Sequence, residues 1–279
     1  MKHDEHRRAA LETWEAAARG WERWRDAIES VLLPVREWML RELAPKPGDT
    51  VLELAAGPGD TGFAAAELVG ESGRVISTDF SPAMVEIARR RSTELGLGNI
   101  EHRTMDAERI ALADGSVDGV LCRFGYMLVP DPAAALAETR RVLRPGSRVT
   151  LAVWREAARN PWISIVGRML LARGHVPPPE PDAPGIFALA ADERIRELLE
   201  GAGFTVRRME EIPVLFVYQS LDEYIRRARD TGGVFARVWQ KVPPGEREEL
   251  ESELEEALAP FEVDGRYALP GVAVAAAAE

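Results

Sequence analysis

Residues 51–59, Val51-Leu52-Glu53-Leu54-Ala55-Ala56-Gly57-Pro58-Gly59, constrain the fold of this chain more than any other stretch. A short apolar run closes on glycines, and a helical pattern follows through Val69. That order predicts a buried strand turning into a helix, the opening unit of an open α/β sheet. Glycine at such a turn lets a ligand approach the backbone where a Cβ would clash. Asp79 lies 20 residues beyond Gly59, at the end of the next apolar run. An acid there is placed to accept hydrogen bonds from two ribose hydroxyls.

The turn alone does not separate a dinucleotide site from other nucleotide-like sites, because Gly57, Gly59 and Gly62 also satisfy the dinucleotide spacing. Glu53 separates them on electrostatic grounds. A pyrophosphate gains nothing from an acid at the end of the first strand, whereas a cationic α-amino group does. The expectation is therefore a zwitterionic ligand beside Glu53.

Strand and helix patterns continue to alternate. Residues 74–79, 100–104, 117–122 and 148–154 read as strands, with Arg144-Pro145-Gly146-Ser147 as the turn before the last of them. Ser81 and Pro82 read as the N-cap and first residue of a helix reaching about Leu95, and a further helix spans 132–143. The alternation implies a mostly parallel sheet covered on both faces. Upstream, Trp14, Ala17, Trp21, Trp24, Ile28, Val31, Val35 and Trp38 recur at helical spacing and predict an amphipathic helix pair capping the core. Downstream, a helix around Trp162–Leu170 and the proline-dense stretch 177–181 form an insertion over the ligand edge. The expected organisation is a helical cap over 1–44, a nucleotide-binding core over 45–154, a lid over 155–190 and completion of the sheet over 191–279. In the last segment, strands are expected within 204–217 and 267–276, and helices over 192–201, 221–229 and 246–258.

Charge narrows the partners. The net charge of −11 argues against a phosphate-binding groove, which needs clustered cations. Arg89-Arg90-Arg91 and Arg226-Arg227 read as solvated helix faces. No apolar run approaches the roughly 18–20 residues of a membrane span, and the charged start MKHDEHRRAALE lacks the apolar centre of a secretory signal. The single cysteine, Cys122, suits a reducing cytoplasm. Trp239 or the amino-terminal helix could support a homodimer. No histidine–cysteine spacing of a metal site is present in the sequence, so no metal is expected.

Taken in order, the motifs from Pro45 to Trp154 resemble a class I S-adenosylmethionine-dependent methyltransferase, of the ubiquinone/menaquinone-biosynthesis-like, type 11 small-molecule group. Glu53-x-Ala55-x-Gly57-x-Gly59 is similar to the family's first motif, with Ala55 where many members carry glycine. Asp79-Phe80-Ser81-Pro82-Ala83-Met84 is similar to the second, in which the acid binds ribose and the next apolar residue packs on adenine. Met105-Asp106-Ala107 resembles the loop whose acid takes the adenine amino group. Asp114-Gly115-Ser116-Val117-Asp118 resembles the entry to the fourth strand, and Leu143-Arg144-Pro145-Gly146-Ser147 the turn before the fifth. The resemblance implies a Rossmann-like, doubly wound α/β fold with a mostly parallel seven-stranded sheet and an antiparallel C-terminal edge. It implies S-adenosylmethionine as cofactor, with S-adenosylhomocysteine as product. The cofactor-binding candidates are Glu53, Ala55, Gly57, Gly59, Asp79, Phe80, Met84, Asp106, Ala107 and Arg123.

Residues 123–127 follow the fourth strand, a position that in this family faces the methyl group and its acceptor. Arg123 is placed to contact the cofactor's carboxylate or the loop backbone. Tyr126, Trp154, Trp162 and Phe187 are the acceptor-site candidates, and they suggest a flat or greasy molecule such as a quinone precursor, polyketide or terpenoid. No cluster announces a general base; Tyr126 and His175 are the candidates. Two other classes share the fold: a non-methylating adenosylmethionine-binding relative, and a nicotinamide oxidoreductase that would have no use for Glu53.

Overall fold

The structure, a computed structural model, describes residues 2–178 and 183–279. The tryptophan-rich segment forms one helix, α1 (Lys2–Leu43), where the spacing predicted a pair; Pro34 lies inside it. Leu32, Val35, Trp38, Met39 and Leu43 bury one side of its C-terminal half. Ala44 adopts φ 51° and its N–H donates to the Leu40 carbonyl at 2.9 Å, which closes the helix as a left-handed cap.

Then comes the alternation: β1 (Thr50–Leu54), α2 (Asp60–Val69), β2 (Arg74–Asp79), α3 (Pro82–Glu94), β3 (Ile100–Thr104), β4 (Val117–Arg123), α4 (Pro132–Val142) and β5 (Leu143–Trp154). Ser81 caps α3 by accepting from Met84 N–H, and Asp131 caps α4 by accepting from Ala134 N–H; each is followed by proline at the first helical position. The turn expected at 144–147 lies inside β5. There the ladder to β4 jumps from Val117↔Leu143 to Gly119↔Arg148, with Gly146 at φ 77°. The second half contains α5 (Pro161–Ala172), α6 (Asp192–Gly201), β6 (Val206–Tyr218), α7 (Leu221–Thr231), α8 (Gly233–Trp239), α9 (Pro244–Leu258), β7 (Glu262–Val263) and β8 (Arg266–Ala278). Of the proline-dense stretch, Pro179, Glu180 and Pro181 lie outside the described residues.

The sheet runs β3-β2-β1-β4-β5-β8-β6, with β7 paired to β8 off this path. Strands β1 to β5 pair in parallel, and β8 runs antiparallel between β5 and β6. The alanine-rich β8 is buried because it is sandwiched there: Ala273 to Ala278 are all 2% exposed or less. The chain order reverses between β1 and β4, which are direct neighbours. In an open α/β sheet the crevice at the carboxyl ends of such a strand pair is where ligands bind. Trp239, considered above as a dimer contact, is 7% exposed and packs on Phe235 with ring centroids 5.1 Å apart. Among the described residues, no helix is long and apolar enough to cross a membrane.

Candidate cofactor and acceptor site

The turn after β1 is held from several sides. Ala55 and Gly57 take positive φ, 52° and 55°, and Gly59 takes 98°. A Cβ on Gly57 would meet nothing within 4 Å, so its exposed face is open to a ligand; one on Gly59 would stand 2.5 Å from the Phe63 ring. The Gly57 N–H donates to Asp79 Oδ2 at 2.8 Å, tying the end of β1 to the end of β2. Asp79 Oδ1 accepts from Ser81 N–H at 2.9 Å. Burial pushes the Asp79 carboxyl up from its ordinary pKa, and the N–H groups of Ser81 and Gly57 oppose that shift.

Arg91, read from sequence as part of a solvated face, is 8% exposed. Its guanidinium donates to the Pro58 carbonyl at 2.5 Å and bridges Asp60 at 2.6 and 2.8 Å, so it clamps the glycine turn from α3. Only its place on a helix facing that turn distinguishes it from Arg89 and Arg90, and the sequence offered no other signal.

Glu53 is 2% exposed. Its Oε1 accepts from Gly62 N–H at 2.9 Å, and its Oε2 meets Ser77 Oγ at 3.0 Å. Desolvation pushes its pKa up to about 8, with Ser77, Arg123 and Gly62 pulling the other way. Both oxygens are thus engaged inside the protein, and at neutral pH most of the carboxyl holds its proton. The electrostatic argument made above for an ammonium partner assumed a full charge facing the ligand. The structure gives Glu53 a second task, bracing β1, β2 and α2 behind the turn.

The remaining candidates spread along the crevice. Asp106 follows β3; its Oδ1 accepts from Glu108 N–H at 2.9 Å, and its Oδ2 lies 3.4 Å from Arg7 Nε of α1. Phe80 and Ala107 are half-buried, and Met84 is buried in a small cluster with Ala18 and Ile87. Arg123, at the end of β4, donates through Nη2 to Glu29 Oε2 at 2.8 Å. Its Nη1 is buried with no hydrogen-bond partner among the described residues. Glu29 also lies 2.7 Å from Arg36.

Helix α1 lies across this edge, and the sequence did not foretell how. Arg7 pairs with Glu108, Glu15 accepts from Ser81 Oγ at 2.5 Å and from Ala83 N–H at 2.9 Å, Glu22 pairs with Arg90, and Glu29 with Arg123. Glu15, Glu22 and Glu29 are seven residues apart and so share one helical face.

Among the residues expected at the acceptor, Phe124 follows Arg123 with φ 62°, a conformation a bulky side chain adopts only when its surroundings enforce it. Its ring stacks on Trp154 with centroids 4.4 Å apart and planes within 6°. Trp162 lies 5.0 Å from Trp154 and stacks on Phe216 at 4.1 Å. Gly125 cannot carry a side chain: a Cβ there would stand 2.6 Å from Ala55 Cβ and 2.7 Å from Cys122 Sγ. Tyr126 is 1% exposed, with its hydroxyl 2.6 Å from Thr139 Oγ1, and burial drives its pKa upward. His175 pairs with Glu246 of α9 at 2.7 Å. Phe187 is half-buried against the core.

The residues present fit an adenosylmethionine. The crevice offers an open glycine backbone, a carboxylate closing β2, an acid after β3 and an orphaned guanidinium nitrogen after β4.

Comparison with known proteins agrees. A family profile described as a methyltransferase domain matches residues 51–146. Aklanonic acid methyltransferase of Streptomyces sp. is 39% identical over 105 residues, covering 38% of this chain and 48% of that protein. The ubiquinone/menaquinone biosynthesis C-methyltransferase of Teredinibacter turnerae is 37% identical over 105 residues, covering 37% of this chain and 42% of that protein. The chain thus spans less than half the length of these relatives. A crystal structure of a SAM-dependent methyltransferase from Aquifex aeolicus superposes with a TM-score of 0.51 at 25% identity, covering 66% of this chain and 87% of that one. Residues 51–146 thus match a methyltransferase domain, and they sit in the Rossmann-like fold that the Aquifex aeolicus methyltransferase shares.

Proposed function

We propose that this chain transfers a methyl group from S-adenosylmethionine to a small, flat, largely apolar acceptor by in-line displacement. The observation that carries this reading is the β1/β4 reversal, with Asp79 tied to the open Gly57 backbone on one side and Arg123, its Nη1 without a hydrogen-bond partner among the described residues, at the end of β4 on the other. When bound, the cofactor supplies an activated methyl on a sulfonium centre.

The chain's own residues divide the rest. Asp79 would hold the ribose, Phe80 and Asp106 the adenine, and Arg123 the methionine carboxylate. Ala55, Gly57 and Gly59 present backbone to the methionine moiety. Phe124 and Trp162, half-buried and braced on the buried Trp154, would supply the apolar face against the acceptor. Holding two reactants in line this way is worth roughly 7–11 kcal/mol of barrier, so a dedicated base is needed only for an acceptor that must lose a proton. Tyr126, committed to Thr139, acts here through packing.

Relatives named for aklanonic acid and for ubiquinone/menaquinone biosynthesis support a small-molecule acceptor. The chain's net charge of −11 favours such an acceptor over nucleic acid. The single cysteine is buried, in keeping with a cytoplasmic protein.

The test is transfer of a tritiated methyl group from the cofactor to a panel of hydroxynaphthoquinones, phenolic polyketides and terpenoid acids. Labelled product and stoichiometric S-adenosylhomocysteine support the reading. Cofactor binding with no label in any acceptor would favour a non-methylating relative.

A further inference from the structure

Helix α1 sets a carboxylate of its own on the guanidinium assigned above to the cofactor's carboxylate. Glu29 Oε2 accepts from Arg123 Nη2 at 2.8 Å, and Glu29 Oε1 lies 2.7 Å from Arg36 Nη1. Glu29 and Arg36 are seven residues apart and share one face of α1. The bond to Arg123 is one-armed. Arg123 Nη1 is buried without a hydrogen-bond partner among the described residues, and Glu29 Oε1, for all its closeness to Arg36, makes no aligned hydrogen bond either. An arginine–carboxylate pair is strongest with two parallel N–H bonds, and this one leaves the second unmade. The other acids facing Arg123 are held elsewhere. Glu53 accepts from Gly62 and Ser77, and Asp60, which faces both Arg123 and Arg36, is bridged by Arg91.

Charge around Arg123 is therefore balanced before any ligand arrives. A carboxylate that takes Arg123 leaves Glu29 as an extra, largely buried anion beside it, and like charges so placed repel. Helix α1 is not free to lift away as a whole. Gly20 passes so close to α7 that a Cβ would stand 1.9 Å from the Asp230 carbonyl oxygen, and the indole N–H groups of Trp21 and Trp24 donate to Thr231 and Asp230 at 3.1 and 2.9 Å. Beyond Glu29, Leu32 and Val35 are buried in the core. The Glu29 side chain does have an exit, because Arg36 already touches it from two turns further along the helix.

We propose that Glu29 is a placeholder for the cofactor's methionine carboxylate: it holds Arg123 while the crevice is empty and passes to Arg36 alone when the cofactor binds. This rests on the methyltransferase reading above and adds to it a residue that sets how tightly the cofactor is held. Glu29 is a positioning residue, acting through Arg123, and Arg36 is its second seat. Its return to Arg123 helps expel S-adenosylhomocysteine after transfer, at the cost of weaker binding of the cofactor.

The test is calorimetric titration of the protein and its variants with S-adenosylhomocysteine and with methylthioadenosine, which has no amino-acid end. Glu29→Gln keeps the shape and removes the competing charge, so it should tighten S-adenosylhomocysteine about fivefold or more. Arg36→Met leaves the displaced Glu29 without its second seat and should weaken S-adenosylhomocysteine about threefold or more. With Glu29→Gln already in place, Arg36→Met should change that affinity by less than about twofold. Methylthioadenosine should stay within about twofold throughout, since it never meets Arg123. A merely structural role would weaken both ligands in both variants, and Arg36→Met carries its own sign if Glu29→Gln does not fold. Unchanged or weaker S-adenosylhomocysteine binding by Glu29→Gln, unchanged or tighter binding by Arg36→Met, or equal shifts for the two ligands would overturn the proposal alone. Failure of the unmodified protein to bind either ligand would overturn the methyltransferase reading as well.

Discussion

Gly62 lies in the first turn of α2, and its N–H donates to Glu53 Oε1 at 2.9 Å. In an ordinary helix interior, glycine to alanine stabilises by about 0.8–1 kcal/mol. Here a Cβ would stand 2.2 Å from Glu53 Oε2 and 3.1 Å from its Cδ. The carboxyl has no free direction to retreat, because Ser77 holds Oε2 at 3.0 Å. Overpacking of this sort costs about 1–3 kcal/mol, and displacing the Ser77 bond adds about 0.5–1.5 kcal/mol. Set against the helix gain, Gly62→Ala should destabilise by about 1–3 kcal/mol, a fall in Tm of about 2–5 °C for a chain of this length. Urea denaturation of a double-mutant cycle with Glu53→Ala tests the cause. With the carboxyl gone, Gly62→Ala should turn neutral or stabilising, giving a coupling of about 1–3 kcal/mol. Effects that add within about 0.5 kcal/mol, or a single Gly62→Ala protein as stable as its parent, would refute the reasoning.

Three further expectations follow from the same geometry. Glu53 keeps its proton in the folded state up to about pH 8 but loses it near 4.5 when unfolded. Its contribution is therefore full below the lower value and lost as pH rises through the upper one. Glu53→Gln should accordingly gain stability relative to the parent between pH 5 and 8, and a pH-independent difference in urea denaturation would count against this. Arg123→Met should weaken S-adenosylhomocysteine about 10- to 100-fold but leave methylthioadenosine, which lacks the methionine carboxylate, unchanged by calorimetry. Glu15→Ala removes an acceptor from Ser81 Oγ and Ala83 N–H, and should cost about 1 kcal/mol. It should also speed amide exchange over 5–25 of α1; unchanged exchange would mean that the helix is held by its apolar side alone.

The parallel core was legible because buried strands are short apolar runs and each ends on a residue type with one physical use. Glycines stand where φ is positive, as at Gly57 and Gly59, and Ser81-Pro82 and Asp131-Pro132 open helices. The single long α1 was not legible as such: the spacing of its apolar residues does not say whether a helix is broken, and the structure carries it unbroken through Pro34 while it packs on α3, α7 and the sheet. Helix α8 escaped because Gly232-Gly233 at its start signals a turn more strongly than its seven residues signal a helix. In the site, the backbone positions could be read and the side-chain directions could not. Arg91 and Arg227 looked like solvent-facing members of basic runs, yet both are buried. Periodicity says which residues share a face, but not which partner meets that face. Glu53 shows the same limit: its place in the strand was clear, while its partners come from Gly62 and Ser77 on two other elements. Phe124 gave no sign of its φ of 62°, since bulky residues there are rare.

The most direct test of the account is calorimetric titration of the purified protein with S-adenosylmethionine, S-adenosylhomocysteine and NAD, repeated on Asp79→Ala. The account predicts binding of the first two, none of NAD, and a loss of about a hundredfold or more in the variant, from two charge-assisted hydrogen bonds to the ribose. Binding of NAD in place of the sulfonium ligands, or an Asp79→Ala protein with unchanged affinity, would contradict it.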